Sequence, residues 1–382
     1  MLRIIFSFTL YFLVTQCFSQ ELALDINRYH FTQVKMVDRT AVKNQFKSGT
    51  CWIYSTHSFL ESELIRMGKG EHDLSEMYIA RAGYLKKADI YIHRQGASSF
   101  GQGAENHDVI NIIAQHGIVP QSVFSGFPEG QDKPVHGEIE AVLKAICDAM
   151  IKLPDGRLSP NWRKVFTGAL DGYFGTPPSN FMYQGKNYNP QSFAENLGIK
   201  AEDYVAYTSF THHPFYKPFV LEMSDNWSQG QFMNVKIDEL VSIVDNAINN
   251  GYSVLWATDV SEKSFSAKNG LAINPIQAWE DMDEADKDSL WKTPSPEKIV
   301  TQEERQLGYD NLTTTDDHGM HIVGLVKDQK GTEYYVVKNS WGTDVNKSTA
   351  GYLYVSKAYF RNKTMSIMLH KNGVPTQLRI KN

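Results

Sequence analysis

Asn44-Gln45-Phe46-Lys47-Ser48-Gly49-Thr50-Cys51-Trp52 is the stretch on which the reading of this chain turns. Ser48-Gly49-Thr50 is a turn of small residues. The segment after it, Cys51 to Met67, places Trp52, Ile53, Phe59, Leu60, Leu64 and Met67 roughly on one helical face, with Gly68 as the stop. Cys51 therefore opens a helix. The thiolate is the nucleophilic form of cysteine, and the unpaired N–H groups of a helix N-terminus favour it. Trp52 anchors the turn in the core and leaves the sulfur facing outward. A cysteine in a helix is by itself ordinary. Gln45, six positions earlier, adds a side-chain amide that the loop can wrap toward the same point.

A thiolate needs a partner that holds its charge and protonates a leaving group. The twelve histidines are the candidates, and two of them stand in Asp316-Asp317-His318-Gly319-Met320-His321-Ile322-Val323-Gly324. His318 and His321 are three apart on a strand, where side chains alternate faces. The pair therefore does not close on one metal ion, and His321 reads as a hydrogen-bonded strand histidine. The strand-like runs Met320–Lys327 and Glu333–Lys338 are joined by Asp328-Gln329-Lys330-Gly331, a hairpin signal. The hairpin brings Asn339, in Val337-Lys338-Asn339-Ser340-Trp341-Gly342, to the end of the sheet where His318 stands.

These three blocks, in this chain order, resemble the active-site signature of papain-type cysteine peptidases. The resemblance implies that Cys51 is the nucleophile and His318 its base, in a block where a glycine, here Gly324, follows the histidine by six positions. It implies that the Asn339 side-chain oxygen fixes the imidazole tautomer and that Trp341 shields that bond. The Gln45 amide and the Cys51 backbone N–H would form the oxyanion hole. The resemblance is closest to the bleomycin hydrolase and aminopeptidase C branch, and it covers most of the chain. It is carried by Asp73-Leu74-Ser75-Glu76-Met77-Tyr78, by Gly103-Ala104 followed by Asp108 and Asn111, by Gly117-Ile118-Val119-Pro120, by Gly175-Thr176-Pro177-Pro178 and by the stretch from Tyr252 to Gly270. By that likeness Gly103, Ala104 and Trp341 are substrate-binding: Gly103 lines the cleft with its backbone, and Ala104, where many relatives have a second glycine, narrows it.

The chain departs from that branch in two ways. The branch's aminopeptidases place a C-terminal arm in the cleft, whose terminal carboxylate captures the substrate's amino group. Here only about eleven residues follow Lys371, ending in the basic Arg379-Ile380-Lys381-Asn382. Aminopeptidase activity is the expectation from resemblance, and an endopeptidase with an open cleft is its competitor. The branch's ring-shaped hexamer loses support with the arm, and no residue argues for another homo-oligomer. The second departure is an export signal: Met1-Leu2-Arg3, an apolar run from Ile4 to Val14, and small residues at Cys17 and Ser19 describe a signal peptide over 1–20. Gln16 before Cys17 argues against lipid anchoring, so the expected location is periplasmic or extracellular. Only about twenty-five residues separate the signal from Gln45, too few for a large inhibitory pro-segment.

The rest of the chain bounds these expectations. Helical patterns dominate the front and an antiparallel sheet the back, which is an α+β chain of two lobes, the helical one carrying Cys51 and the antiparallel one His318 and Asn339, with a papain-like peptidase domain over 21–382. The Pro-, Gly- and aromatic-rich region of about 150–235 reads as a family-specific insertion of loops and short helices laid over a core. The formal charge of −5 gives no basic footprint for nucleic acid. After the signal no run is long and apolar enough to span a membrane. Past Cys17 only Cys51 and Cys147 remain, one reactive thiol and one buried bystander rather than a disulfide framework. No metal or organic cofactor is implied, and the expected partner is a peptide substrate. The rival readings are a catalytically silent peptide-binding protein on the same fold, which the intact Gln45, Cys51, His318 and Asn339 set argues against, and an acyl-transferring enzyme using the same cysteine and histidine.

Overall fold

The computed structural model describes residues 22–127, 130–153 and 156–379. The expected signal peptide over 1–20, with Cys17, and the final residues 380–382 lie outside the described residues. The α+β expectation holds: one lobe is helical and the other is built on a large sheet. The helical lobe contains α1 (Cys51–Arg66), α2 (Glu76–His93), α3 (Asn106–His116), α4 (Gly137–Ile151), α5 (Trp162–Phe174) and α6 (Pro190–Leu197). Every residue of α1 from Trp52 to Leu64 is buried, the mark of a helix wedged between layers rather than laid on a surface. It packs against the strand His318–Lys327 on one side and α2 and α3 on the other. Among the polar groups caught in that interior, Glu61 accepts from Thr40 at 2.5 Å and Lys43 at 3.0 Å, while His57 and Ser62 have side-chain atoms without a hydrogen-bond partner. Ser75 caps α2 by accepting from the Tyr78 N–H at 3.2 Å, and Glu105 with Asp108 forms a reciprocal cap on α3. α3 ends at Gly117, whose φ is +74° and whose Cβ would lie 2.2 Å from the Pro190 carbonyl carbon. Only glycine meets both demands.

The sheet has eleven strands among the described residues. In spatial order ten are Phe265–Ser266, Leu271–Ala272, Tyr352–Ser356, Glu333–Lys338, His318–Lys327, Val254–Thr258, Thr364–His370, Tyr204–Thr208, Gln231–Asn234 and Pro218–Val220, and Thr32–Met36 pairs beside His318–Lys327. Two pairings are parallel, Leu271–Ala272 with Tyr352–Ser356 and Tyr204–Thr208 with Gln231–Asn234, so the sheet is mixed rather than wholly antiparallel. α7 (Ile237–Asn249) packs on this sheet, α8 (Glu284–Leu290) and α9 (Gln302–Asp310) follow, and α10 (Lys357–Lys363) packs against the strands beside it. An N-terminal strand lies at Thr32–Met36, while most of 38–45 runs outside regular structure. The region 150–235 does more than cover a core, since Tyr204–Thr208, Pro218–Val220 and Gln231–Asn234 join the main sheet.

Register decides which ends of the strands meet. His318 and Thr364 both pair with Thr258, while His370 pairs with Tyr204. The chain leaving His370 therefore starts from the end of the sheet opposite His318. Residues 371–379 stay with that end: Asn246 Nδ2 donates to the Gly373 carbonyl at 2.6 Å, and Tyr207 Oη to the Leu378 carbonyl at 2.9 Å.

One buried carboxylate in this lobe gives a stability prediction. Glu297 Oε2 accepts from Ser356 Oγ and the Asn274 N–H, both at 2.5 Å, while Oε1 has no partner. Burial, with Asp328 adding repulsion, pushes its pKa up to about 7. A folded-state value above the unfolded one means that stability from this group is complete below the unfolded value and lost as pH rises through about 7. Glu297→Gln removes this loss. Its unfolding free energy relative to the parent should rise between pH 5 and pH 8, by up to about 3 kcal/mol. Chemical denaturation at the two pH values measures it, and an unchanged difference would contradict the assignment.

Candidate active site

Cys51 is the first residue of α1, and Thr50 before it makes no side-chain cap. The Thr50 hydroxyl pairs instead with Ser48 Oγ at 2.6 Å. The opening N–H groups of the helix are thus left to the cysteine. The backbone N–H groups of Trp52 and Gly319 point at Sγ and favour the thiolate, but burial outweighs them, and Asp316 and Asp225 add repulsion, so the thiol is pushed up to about 12. Gly319 also lets the sheet close on the helix: a Cβ there would lie 3.0 Å from Ser55 Oγ and 3.6 Å from Trp52 Cα.

His318 begins its strand and is buried. Its Nε2 lies 2.8 Å from Asn339 Oδ1, which leaves Nδ1 for the cysteine side. Burial lowers its pKa to about 4 against the opposing pull of Asn339 and Asp317. Trp341 lies against the imidazole with ring centroids 4.6 Å apart. The raised thiol and the lowered imidazole both favour the neutral form.

Gln45 is buried and held at three points. Its N–H donates to the Ser340 carbonyl at 2.8 Å, its Nε2 donates to the Ser48 carbonyl at 2.8 Å, and its Oε1 accepts from Ser340 Oγ at 2.6 Å. One amide hydrogen of Nε2 is left over. The Ser340 N–H donates to Asn339 Oδ1 at 2.7 Å. The dipeptide Asn339-Ser340 thus orients the histidine with one residue and the glutamine with the next. Ser340 was invisible to motif reading beyond its place in the block. Gln102 was missed as well: its Oε1 accepts from the Gly49 N–H at 2.6 Å, and its carbonyl accepts from Trp52 Nε1 at 2.9 Å, clamping the cysteine loop. Only the fold brings it there.

The space beside Cys51 is a cavity of about 20 Å3 lined by Trp52, Ala104, Glu105, Asn106, Asp225, Ala257 and residues 316–319. Ala104 lines it. Gly103 is covered: an Asp225 oxygen lies 1.8 Å from where a Gly103 Cβ would be, and the Gly103 carbonyl accepts from Lys87. Beyond Asp316 lies a larger cavity of about 460 Å3, whose lining includes Glu222, Met223, Tyr309, Leu312 and Met365.

Among the described residues two groups of side chains have the spacing for a metal. Glu61, Asp73 and Glu76 surround the Lys43 ammonium, which contacts them at 3.0, 2.6 and 2.7 Å and neutralises them. His212 and His213 each place Nε2 on one oxygen of Glu222, at 3.1 and 2.8 Å, on the surface. His321 is buried with Nδ1 2.9 Å from Ser58 Oγ and takes no part in the cleft. Cys51 and Cys147 are both free.

A cysteine at a helix start, met across two lobes by an asparagine-held histidine from a sheet, defines the class: a papain-type cysteine peptidase. Residues 173–381, more than half of the chain, match the model of the peptidase C1-like family, and the chain belongs to that family. The matched span holds His318 and Asn339 but not Cys51. Longer alignments run to curated relatives. The chain is similar to aminopeptidase G of Lactobacillus delbrueckii subsp. lactis, 24% identical over 372 residues, covering 86% of this chain and 80% of that one. It is also similar to aminopeptidase C of Streptococcus thermophilus, 22% identical over 378 residues, covering 87% and 80%. Among solved structures, PepW from Lactobacillus rhamnosis matches with a TM-score of 0.71 at 20% identity, covering 91% of this chain and 83% of that one, a likeness of fold. No helix among the described residues is long and apolar enough to cross a membrane.

Proposed function

We propose that the protein is an exported aminopeptidase acting through a Cys51 thioester. The observation that carries the chemistry is the His318 Nε2–Asn339 Oδ1 bond at 2.8 Å, which leaves Nδ1 for the thiol across the lobe junction. The aminopeptidase reading is supported by the relatives bearing that name over about four-fifths of their length. Export is supported by Met1 to Gln20, whose one early positive charge, apolar run and small residues suit a cleaved signal. Mass analysis of the secreted or periplasmic protein tests it; an intact Met1 on cytosolic protein would contradict it.

The mechanism follows from the site. Cys51 Sγ attacks the carbonyl carbon as His318 takes its proton. The oxyanion is received by the Cys51 N–H and the remaining Gln45 amide hydrogen. The imidazolium protonates the leaving amine, which departs and leaves a thioester. Water then attacks as His318 removes its proton, releasing the acid and restoring the thiol. Gln45→Ala should lower kcat by about 10²- to 10³-fold with KM within a few-fold, because the donor acts mainly on the developing charge. A loss confined to KM would assign Gln45 to substrate binding instead.

One observation favours an endopeptidase: residues 371–379 lie at the far end of the sheet from His318. Leucine 7-amido-4-methylcoumarin and its N-acetyl derivative separate the two readings. Hydrolysis restricted to the free-amine substrate supports aminopeptidase; equal hydrolysis of both supports endopeptidase.

A further inference from the structure

We propose that the Asp225 carboxylate, held over Gly103 beside Cys51, receives the free α-ammonium of the substrate. The inference rests on the aminopeptidase reading and assigns it a residue. It starts from a count of acceptors. Four carboxylates line the space next to Cys51: Glu105, Asp225, Asp316 and Asp317. Asp317 is occupied, accepting from the N–H groups of Val260 and Ser261 at 3.2 and 3.1 Å and from Thr315 Oγ1 at 2.8 Å. Glu105 and Asp316 hydrogen-bond to each other, which requires a proton on one of them. Glu105 also caps α3. Asp225 makes no hydrogen bond to any described residue. The cation that most favours its charge is Lys87, and the Lys87 ammonium is itself engaged by the carbonyls of Gly101 and Gly103. A mostly desolvated carboxylate with its acceptor positions open calls for a cationic donor.

The loop that carries Asp225 is fixed before any substrate arrives. Asn226 is buried and bridges it, donating to the carbonyls of Leu221 and Gly230, both at 3.0 Å, and accepting from the Gly230 N–H at 2.8 Å. Trp227 is 3% exposed and packs in the helical-lobe core, and Ser228 Oγ lies 3.0 Å from His107 Nε2. This bracing holds the Asp225 oxygen against Gly103, 1.8 Å from the place of a Cβ. Preorganisation of this kind is what a charge-recognition group needs.

The position suits an α-ammonium and little else. In a peptide whose first carbonyl carbon meets Cys51, the α-nitrogen is about 2.5 Å from that carbon. It therefore falls in the same small cavity. Asp225 lines this cavity and lies against Gly103, so an amine placed there meets a carboxylate. The charge also couples to the nucleophile, since Asp225 helps to hold the Cys51 thiol up. A substrate ammonium on Asp225 offsets that repulsion and favours the thiolate. Free-amine substrates thus gain in kcat as well as in KM.

The test uses the chain without residues 1–20 as parent, Asp225→Asn, and Gly103→Ala, whose new Cβ must displace the carboxylate. Each is assayed with leucine 7-amido-4-methylcoumarin and its N-acetyl derivative. In the parent the free-amine substrate is preferred. In Asp225→Asn its kcat/KM should fall by about a hundredfold, the scale of losing one partner from a desolvated charge pair, while the acetylated substrate is cleaved faster. Gly103→Ala should lose the same preference. Alkylation of Cys51 by iodoacetamide at pH 8 should be faster in Asp225→Asn, because the neighbouring negative charge is gone, which a collapsed site would not give. A parent without preference overturns the proposal together with the aminopeptidase reading. A parent with preference that Asp225→Asn retains, or an equal loss on both substrates, overturns the role of Asp225 and leaves that reading standing.

Discussion

Cys51→Ala is expected to abolish amide hydrolysis, with a fall in kcat on the order of 10⁵- to 10⁶-fold, the scale seen when a nucleophile that works with its base as a unit is removed. The sulfur is replaced by hydrogen at the start of a helix whose buried face begins at Trp52, so the fold should be preserved within about 1 kcal/mol. Substrate binding should survive, because Ala104, Asp225 and the oxyanion donors of the loop remain. The measurement is a pair: turnover of leucine 7-amido-4-methylcoumarin, and binding of the same amide to the variant. Lost turnover with retained binding is the expected result. Retained turnover would remove Cys51 from the chemistry, and lost binding would point to a folding defect.

His318→Ala is expected to be nearly as damaging and to leave a distinct signature. With the thiol held near 12 by burial and by Asp316 and Asp225, only about one molecule in 10⁵ carries a thiolate at pH 7 once the base is gone. Residual hydrolysis and iodoacetamide alkylation should then rise about tenfold per pH unit between pH 7 and 9. The parent should show a shallower dependence, because the neutral imidazole, whose pKa lies near 4, accepts the thiol proton throughout that range. Identical pH slopes in parent and variant would exclude His318 as the base.

The residues proposed for catalysis were readable because each is announced by its own neighbours. A small-residue turn and an apolar stripe start a helix at Cys51, and a hairpin signal between two apolar runs brings His318 and Asn339 to one end of a sheet. Cys51–Arg66 and Glu333–Lys338 fall where the apolar pattern and the end signals put them. The reading weakens where partners are distant or signals are missing. Gly137–Ile151 has an apolar stripe but no capping side chain to mark its start. Tyr204–Thr208 is a strand because Thr364–His370 pairs with it across the chain, which no local pattern records. Asp225 is the sharpest case. Nothing in its sequence surroundings, Met223-Ser224-Asp225-Asn226, marks it, and only the three-dimensional closure of that segment over Gly103 sets it beside Cys51.

The central claim is a covalent acyl-enzyme on Cys51. Leucine p-nitrophenyl ester, whose good leaving group makes acylation faster than thioester hydrolysis, should let that species accumulate. The protein is quenched in acid during turnover, digested and weighed by mass spectrometry. The account predicts a leucyl mass gain on the peptide containing Cys51, lost on treatment with hydroxylamine and absent from the peptide containing the buried Cys147. An adduct on Cys147, or steady turnover with no adduct on Cys51 at any quench time, would contradict it.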